Sequence, residues 1–550
     1  MHHMGAHMDL CLQIPEILRL ICDQIPSDTG AGRHRLFITA LSCRAFLEPA
    51  LDSLWYSIHS LKPFIACLPE DLLKSETKAH PNAAFYKYVV LSLKRVITPS
   101  DLQKYLTYYA PRIRRVSAMG LREIFSIDLW QGLQLATHFE RGALTPSNAE
   151  LEWCLTEVGC WTVPPDLLAQ SYPYFSLFLG HKTTSLHFEI TGPTPIHLAS
   201  IGNALCGPAN IKKLHISDTE LWNTDVPYIG PYLMPQRWTH LEGLQISTVP
   251  HDCLPGLASL PRLAHLTISG LLNVQALNYC DDGVALQDRM KNISTTTSFP
   301  ALQSLTLFSE EAKHLSGVLQ LIAPGNRIHS LKCILTSTPT PAEARETDNL
   351  MLTIQHHCNP DTLHELVVQE NIETTEHEEE NDLDDEVRLK LKPILPFAKL
   401  RTVHLGLSHQ VSLLPSDIED VAASWPNLET LKIDVDVPSS RVPSISHTDF
   451  LNLVYNCRQL KELGLRINAT QIRHAEPRPD SARVGVPALT KLLVGDSPIL
   501  SPTKVSRFLA EHCPKLRDLH YLTEDDVPDD APWFKPIYGN RWQAVSVYTT

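Results

Sequence analysis

The chain has 550 residues, of which 43% are apolar and 20% are charged, and its formal charge is −14 at pH 7. This composition can fill a large core and disfavours global disorder, and the acidic balance disfavours a nucleic-acid surface. Because the sequence shows no apolar run of about 18 residues and no secretory leader, we expect no membrane span. Thirteen cysteines without a C-x-x-C pair favour a reducing compartment, the cytosol or the nucleus.

The amino-terminal residues divide into a polar start and an apolar helix. Residues 1–8 are rich in histidine and are predicted to be a disordered start or a tag remnant. A helix is predicted to begin at Pro15, because proline and the following glutamate suit a first helical turn. The apolar residues that share one face of this helix are Ile17, Leu18, Ile21 and Ile25.

A second helical stretch is predicted over residues 36–58, after a loop at residues 26–34. Pro49 is expected to break this stretch, since proline interrupts helical hydrogen bonding. Two or three short apolar helices within about 50 residues cannot bury their hydrophobic faces against one another alone. We therefore expect the module at residues 9–60 to need a partner.

This module resembles the F-box. The resemblance rests on Ile14-Pro15, the spacing of the helical apolar residues, the run 41–46 and Leu54-Trp55. Departures are Ile-Pro in place of Leu-Pro, a longer loop, and Phe46 in the usual tryptophan position. The segment running on past residue 61 also resembles the F-box-like proteins of mushroom-forming fungi. The alternative is that these helices are the first core helices of a larger domain.

The F-box resemblance implies docking on the adaptor of an SCF-type cullin–RING ubiquitin ligase. The residues it assigns to the adaptor contact are Ile14, Pro15, Ile17, Leu18, Ile21, Leu41, Phe46 and Trp55.

Residues 61–525 are predicted to form a leucine-rich-repeat solenoid, with degenerate repeats in 61–200 and clearer ones in 201–525. In the degenerate part we expect strands at residues 85–93 and 111–119. Leu186 and Phe188 fit the second and third apolar positions of a further repeat.

The clearer repeats share a block whose type is PNLETLKIDV, residues 426–435, with alternating apolar positions that predict a short strand. The block recurs every ~30 residues, in the range of a strand-plus-helix repeat. Its first apolar position falls at Ile211, Leu241, Leu263, Leu302, Ile328, Leu363, Leu400, Leu428, Leu460, Leu489 and Leu516. A proline two residues earlier marks five of these blocks and favours an extended entry to the strand.

Amphipathic helices precede several blocks, as in residues 417–425, 447–457 and 501–509. Alternating helices and parallel strands have right-handed crossovers. The predicted fold class is therefore α/β, a helical module followed by a right-handed horseshoe. An acidic insertion is expected at residues 370–387, solvated or, as an alternative, docking a basic partner.

The carboxy-terminal residues 526–550 are predicted to cap the last repeat. Trp533, Phe534, Tyr538 and Trp542 would cover its core, and an exposed binding patch is the alternative.

Catalytic motifs are missing from the sequence, which has no G-x-x-x-x-G-K-[ST], G-x-G-x-x-G or G-x-S-x-G pattern. His356-His357-Cys358 and Cys280-Asp281-Asp282 lack zinc-ligand spacing. Cys358, Cys457 and Cys513 recur near helix ends, which indicates buried packing. We therefore expect no enzyme activity, no cofactor and no metal.

The residue between the second and third apolar positions of each block should face the concave side. This column is mixed in character, which suits a protein partner better than nucleic acid. Its candidate target-binding residues are His215, Gln245, Thr267, Lys332, His404, Lys432, Leu493 and His520.

Three functions are compatible with these patterns. The first is a substrate-recognition subunit of an SCF ligase, with the adaptor, and through it a cullin, on one side and a target protein on the other. The second is a leucine-rich-repeat scaffold outside any ligase, with the first helices folded back on the repeats. The third is a GTPase-activating solenoid, which the irregular repeats disfavour.

Overall fold

The computed structural model describes residues 14–80, 83–118, 123–154, 164, 167–168, 170–190, 210–218, 238–247, 249–250, 254–272, 298–336, 344–370, 390–407, 413–436, 442–472, 487–523 and 535–549. The chain divides into two compact units, Met1–Ser247 and Thr248–Thr550. None of the described helices has the length and apolar character needed to span a membrane. The predicted start at residues 1–8, nearly all of the acidic insertion, the cluster beginning at Cys280, and Trp533 and Phe534 lie outside the described residues.

The first unit opens with three helices, α1 (Pro15–Asp23), α2 (Gly30–Ser42) and α3 (Arg44–Tyr56). The loop predicted at residues 26–34 is wrong in its second half, because α2 already begins at Gly30. The Thr29 hydroxyl accepts a hydrogen bond from the Gly32 amide at 3.0 Å and caps the helix. A Cβ atom on Gly32 would lie 1.7 Å from the Pro26 carbonyl oxygen, so the glycine permits a tight first turn.

The predicted helix break at Pro49 is also wrong. The break lies at Cys43, whose extended backbone (φ −159°, ψ 161°) ends α2 and precedes α3. Pro49 lies buried inside α3. The carbonyl of Pro49 accepts a hydrogen bond from the Ser53 hydroxyl, which also donates to Asp23 of α1.

A parallel sheet follows, in which each strand bonds with the next one of the series. Its strands are β1 (Ser57–Ile58), β4 (Arg115–Ser117), β6 (Glu150–Trp153), β7 (Ser185–Ile190), β8 (Lys213–Asp218) and β9 (Gly243–Ile246). Leu186 pairs with Leu214 and Phe188 with Ile216, so the apolar positions of β7 and β8 are aligned. The strand predicted at 111–119 is confirmed only over the three residues of β4.

A smaller sheet lies in the same unit. It contains β2 (Leu73–His80), β3 (Ala83–Leu93) and β5 (Glu123–Phe125), and β3 confirms the strand predicted at 85–93. The antiparallel partner β2 was not predicted, because its residues alternate poorly in hydropathy. The helices of this region are α4 (Lys62–Ile65), α5 (Pro99–Lys104) and α6 (Ile127–Ala136).

The second unit contains a parallel sheet in which each strand pairs with the next strand of the sheet in sequence. Its strands are β11 (His265–Ile268), β13 (Ser304–Ser309), β14 (Ser330–Leu335), β15 (Glu365–Glu370), β16 (Thr402–Gly406), β17 (Thr430–Ile433), β18 (Glu462–Leu465), β19 (Lys491–Leu493) and β20 (Asp518–His520). The short strands β10 (Val249–Pro250) and β12 (Leu271–Leu272) pair separately. The helices are α7 (Leu254–Ala258), α8 (Ala312–Leu319), α9 (Ala344–His357), α10 (Pro415–Ser424), α11 (His447–Asn456), α12 (Pro502–His512) and α13 (Pro536–Thr549).

The register of this sheet aligns equivalent positions of successive blocks. Leu305, Leu331 and Leu366 pair in one row, and all three are buried. The predicted helices are confirmed as α10, α11 and α12, each of which precedes a strand. Buried apolar rows on one side of the strands and helices in the crossovers account for this core.

Buried cysteines and a terminal tryptophan complete the core of the second unit. Cys358, Cys457 and Cys513 are buried, as predicted for packing residues, and burial raises the pKa of each thiol to about 12. Trp542 of α13 is fully buried, and its indole donates a hydrogen bond to the Ser497 carbonyl at 2.8 Å.

A glycine-to-alanine change at Gly142 is expected to reduce the free energy of unfolding of the first unit by about 2 kcal/mol or more. Gly142 has φ +66°, and a Cβ atom there would lie 2.3 Å from the Cα atom of Gly180. Urea denaturation followed by circular dichroism measures the loss. The control is Gly317→Ala in α8. A Cβ atom added there would have no other atom within 4 Å, so the free energy of unfolding is expected to rise by about 0.5–1 kcal/mol. Equal stabilities would contradict the prediction.

Candidate functional site

The three amino-terminal helices share a small core. Its fully buried members are Cys22, Leu36, Ala40 and Ala50, with Ile25, Phe46 and Leu54 packed partly against them.

Seven exposed apolar side chains lie on or next to the three amino-terminal helices and are here called the apolar patch. Its members are Ile14, Leu20, Ile21, Phe37, Ile38, Leu41 and Leu47. Phe37, Ile38 and Leu41 occupy i, i+1 and i+4 positions of α2, so they share one helical face. The most exposed of these residues is Leu41, at 68%.

The structure brings together only part of the predicted adaptor-binding set. Ile14, Ile21 and Leu41 belong to the apolar patch, and Pro15 is exposed beside them. Leu18 is 2% exposed and is therefore a core residue. Ile17, Phe46 and Trp55 are half-buried. Leu20, Phe37, Ile38 and Leu47 are not among the predicted contacts, although helical spacing from Leu41 places Phe37 and Ile38 on the same face.

Helix α3 contacts residues 108–112, later in the first unit, through hydrogen bonds, ion pairs and ring packing. The guanidinium of Arg112 bonds with Glu48 and Asp52 of α3. The Tyr108 hydroxyl donates to Glu48 at 2.8 Å, and these two donors lower the pKa of the Glu48 carboxyl. The Trp55 ring packs on Tyr109 with centroids 4.5 Å apart. Consequently α3, which contributes only Leu47 to the apolar patch, is anchored, whereas the other six members lie on α1, its N-cap and α2.

The predicted concave column is a continuous row in each sheet, here named the central row. In the second unit, register pairs Thr267, Thr306, Lys332, Val367, His404, Lys432, Gly464, Leu493 and His520 in that order. In the first unit it pairs Ser117, Glu152, His187, His215 and Gln245. Gln245 and His520 are exposed, whereas Val367 and Gly464 are buried.

Charges along the central row of the second unit are compensated between strands. The Nζ atom of Lys332 lies 2.9 Å from Glu365, and that of Lys432 lies 3.0 Å from Glu462. Burial raises the pKa of Glu462, but hydrogen bonds from Lys491 and Lys432 outweigh it, so the pKa is lowered. The row thus presents paired charges with interspersed apolar groups, which is a surface suited to a protein partner.

The central row of the first unit contains a compact polar cluster. The Nδ1 atom of His187 lies 3.3 Å from Glu152 and 3.6 Å from the Cys154 sulfur. The atoms of these three residues that can bind metals all lie within 4.8 Å of one another. The His215 ring stacks on His187 with centroids 3.8 Å apart. Ser117 donates a hydrogen bond to Glu152 at 2.7 Å.

The pKa values of this cluster reflect its contacts. The His187 hydrogen bond, with help from Ser117, lowers the pKa of Glu152 to about 2. Burial raises the pKa of the Cys154 thiol to about 12. Burial, assisted by the neighbouring His187, lowers the pKa of His215 to about 4, so this imidazole is neutral at pH 7.

Sequence reasoning assigned only His215 of this cluster to a candidate site. The missing signal was the register of the degenerate repeats, since Leu186 in the second apolar position places His187 in the central row. The same alignment places Glu152, after Leu151, in that row. Glu152-x-Cys154 in one repeat and His187 in the next then form a pattern that a search for local C-x-x-C spacing cannot find.

Comparisons with known proteins give little similarity. No family model and no curated protein matches the chain. A crystal structure of the Rad7 and Elc1 complex in yeast is similar with a TM-score of 0.35 and 13% identity, covering 67% of this chain and 83% of that chain. A crystal structure of an internalin from Listeria monocytogenes is similar with a TM-score of 0.36 and 13% identity, covering 70% and 83%.

Proposed function

We propose that this chain is a substrate-recognition subunit of an SCF-type cullin–RING ubiquitin ligase. In this function α1 and α2 dock on the adaptor, and the central rows hold a target protein. The chain itself catalyses nothing. It raises the effective concentration of target lysines near a ubiquitin-charged enzyme bound elsewhere in the complex. The proposed compartment is the cytosol or the nucleus.

The observation that carries the proposal is the apolar patch, most of which lies on α1 and α2. Exposed apolar residues scattered singly need no explanation, but seven within residues 14–47, on three successive short helices, mark an interaction site. Three of them, Ile14, Ile21 and Leu41, are residues to which the F-box resemblance gives an adaptor contact. The anchoring of α3 by Arg112 would hold the docked helices in a fixed position on the first unit.

A pull-down of purified adaptor by the full chain tests this function. Replacing Leu41 with aspartate is expected to weaken adaptor binding at least about 30-fold, because a charge would be buried in an apolar contact. Leu500→Asp is the matched control, since Leu500 is 62% exposed in the second unit and lies outside the patch. Circular dichroism verifies that both variants fold. Absence of adaptor binding by the native chain, or equal binding by both variants, would overturn the proposal.

The alternative is a leucine-rich-repeat scaffold that joins no ligase. It is favoured by the contacts of α3, because Trp55 and Arg112 tie the amino-terminal helices to the segment that follows. Proximity labelling with the native chain and with Leu41→Asp separates the two functions. A ligase subunit loses its adaptor and cullin in the variant while keeping its target, whereas a scaffold keeps the same partners in both.

A further inference from the structure

A thiol, an imidazole and a carboxylate meet in the cluster at the end of β6. Side chains at positions i and i+2 of a strand share a face, so Glu152 and Cys154 lie on the same side. His187 pairs with Glu152 on the neighbouring strand β7, and its ring therefore contacts both of them. Two consecutive repeats thus supply three different metal-ligand types to one place.

We propose that Glu152, Cys154 and His187 form a Zn²⁺ site with three protein ligands and a water molecule in the fourth position. Thiolate, imidazole and carboxylate are the ligands that zinc takes in proteins, whereas Ca²⁺ and Mg²⁺ prefer oxygen alone. Zinc bonds of about 2.0–2.3 Å place tetrahedral ligand atoms about 3.3–3.6 Å apart. The separations from His187 Nδ1 to Glu152 and to Cys154, 3.3 and 3.6 Å, match that range.

Outer contacts orient two of the ligands. Ser117 donates a hydrogen bond to Oε2 of Glu152, which leaves Oε1 facing His187. The Nε2 atom of His187 lies 3.3 Å from the Ser217 hydroxyl, so Nδ1 is the nitrogen on the metal side. Hydrogen bonds of this kind to the second oxygen or nitrogen of a ligand are typical of zinc sites.

One movement is required for binding. The Cys154 sulfur lies 3.6 Å from Nδ1 and 3.5 Å from Nε2 of His187, so it is not aligned with either nitrogen lone pair. The imidazole must therefore turn about its Cβ–Cγ bond to point the Nδ1 lone pair at the metal, and the contact of Nε2 with Ser217 must adjust with it. A cysteine nucleophile activated by His187 is the other use of such a triad, but Cys154 is only 5% exposed and a substrate could not reach it.

Zinc titration of the full chain, first stripped with a chelator, tests the site. With a chromogenic chelator as competitor, Cys154→Ser and His187→Ala are each expected to bind one Zn²⁺ equivalent fewer than the native chain. Two controls should keep the native stoichiometry: Cys43→Ser, which removes an exposed thiol, and His329→Ala, which removes a histidine of another stacked pair. Unchanged stoichiometry in folded Cys154 and His187 variants would overturn the proposal.

A measurement on the native chain guards against variants that fail to fold. X-ray absorption at the zinc edge, with one equivalent bound, is expected to show one sulfur and three nitrogen or oxygen neighbours. A shell without sulfur, or with several sulfurs, would overturn the assignment. Ser117→Ala, which removes the hydrogen bond to Glu152, is expected to weaken zinc affinity about 10-fold or more, and native affinity in this variant would contradict the role given to Ser117.

Discussion

Replacing Leu331 with alanine is expected to lower the free energy of unfolding of the second unit by about 2–5 kcal/mol. Leu331 is fully buried in β14 and pairs with Leu305 on one side and Leu366 on the other. Removing its side chain leaves a cavity between two neighbouring repeats, and the paired backbones cannot close it without breaking their hydrogen bonds. Hydrogen-exchange protection of the β14 and β15 amides measures the loss locally.

The adjacent residue provides the control for this prediction. Lys332 lies on the opposite face of the same strand, and its ion pair with Glu365 is partly exposed to water. Lys332→Ala is therefore expected to cost about 0–1 kcal/mol. If the two alanine variants lost equal protection, the assignment of faces to the strands of this sheet would be wrong.

Replacing Asp434 with asparagine is expected to stabilise the second unit at pH 8, and the gain should shrink as the pH falls toward 4. Asp434 is buried after β17, in a left-handed conformation (φ +48°) that asparagine also adopts readily. Burial raises the pKa of this carboxyl well above its ordinary value. Arg466 opposes the rise, whereas Glu370, Asp496 and Asp436 add to it.

The direction of this pH dependence follows from proton binding. A carboxyl whose pKa is higher in the folded state binds its proton more tightly there, so its contribution to stability is present at low pH. That contribution is lost as the pH rises from about 4 through the folded-state pKa. The asparagine side chain does not titrate between pH 4 and pH 8, so the variant does not lose stability in this way. Thermal unfolding of both proteins from pH 4 to pH 8 measures the difference.

A variant of opposite sign tests the same region. Asp496 binds Arg466 at 2.6 Å, and both side chains are largely buried. Asp496→Asn removes the carboxylate charge from this largely buried ion pair, so we expect a loss of about 3–5 kcal/mol in the free energy of unfolding at neutral pH. A stabilised Asp496→Asn, or an Asp434→Asn variant that is less stable at pH 8 than at pH 5 relative to the native chain, would contradict this account of the charges.

Local patterns predicted the strands and helices of the second unit well. The alternation of apolar and polar residues around Leu431 predicted a strand, and the apolar face of residues 447–457 predicted a helix. Both patterns depend on residues close together in sequence, and the structure contains both elements. The helix break predicted at Pro49 and the loop predicted at the glycines near residue 30 were wrong. The effects of these residues depend on the packing of α3 and on the close approach of Gly32 to Pro26.

The candidate sites were harder to predict than the fold. Exposure of Leu41 and burial of Leu18 depend on how three helices pack, which helical spacing alone does not give. The cluster of Glu152, Cys154 and His187 depends on strand register across residues that are far apart in sequence. Where the first apolar position of a block could be read, as at Ile211, the neighbouring His215 was placed correctly in the central row.

Pairing between consecutive strands has an evolutionary consequence for the second unit. Among the strands that the structure describes, β17 bonds only with those before and after it in the series, and equivalent side chains meet in each pair. A duplicated or deleted module of about 30 residues would therefore find matching neighbours at both ends. A single residue inserted within a strand would instead turn its inward side chains outward. Selection can thus lengthen or shorten this part of the chain in whole modules, but not residue by residue.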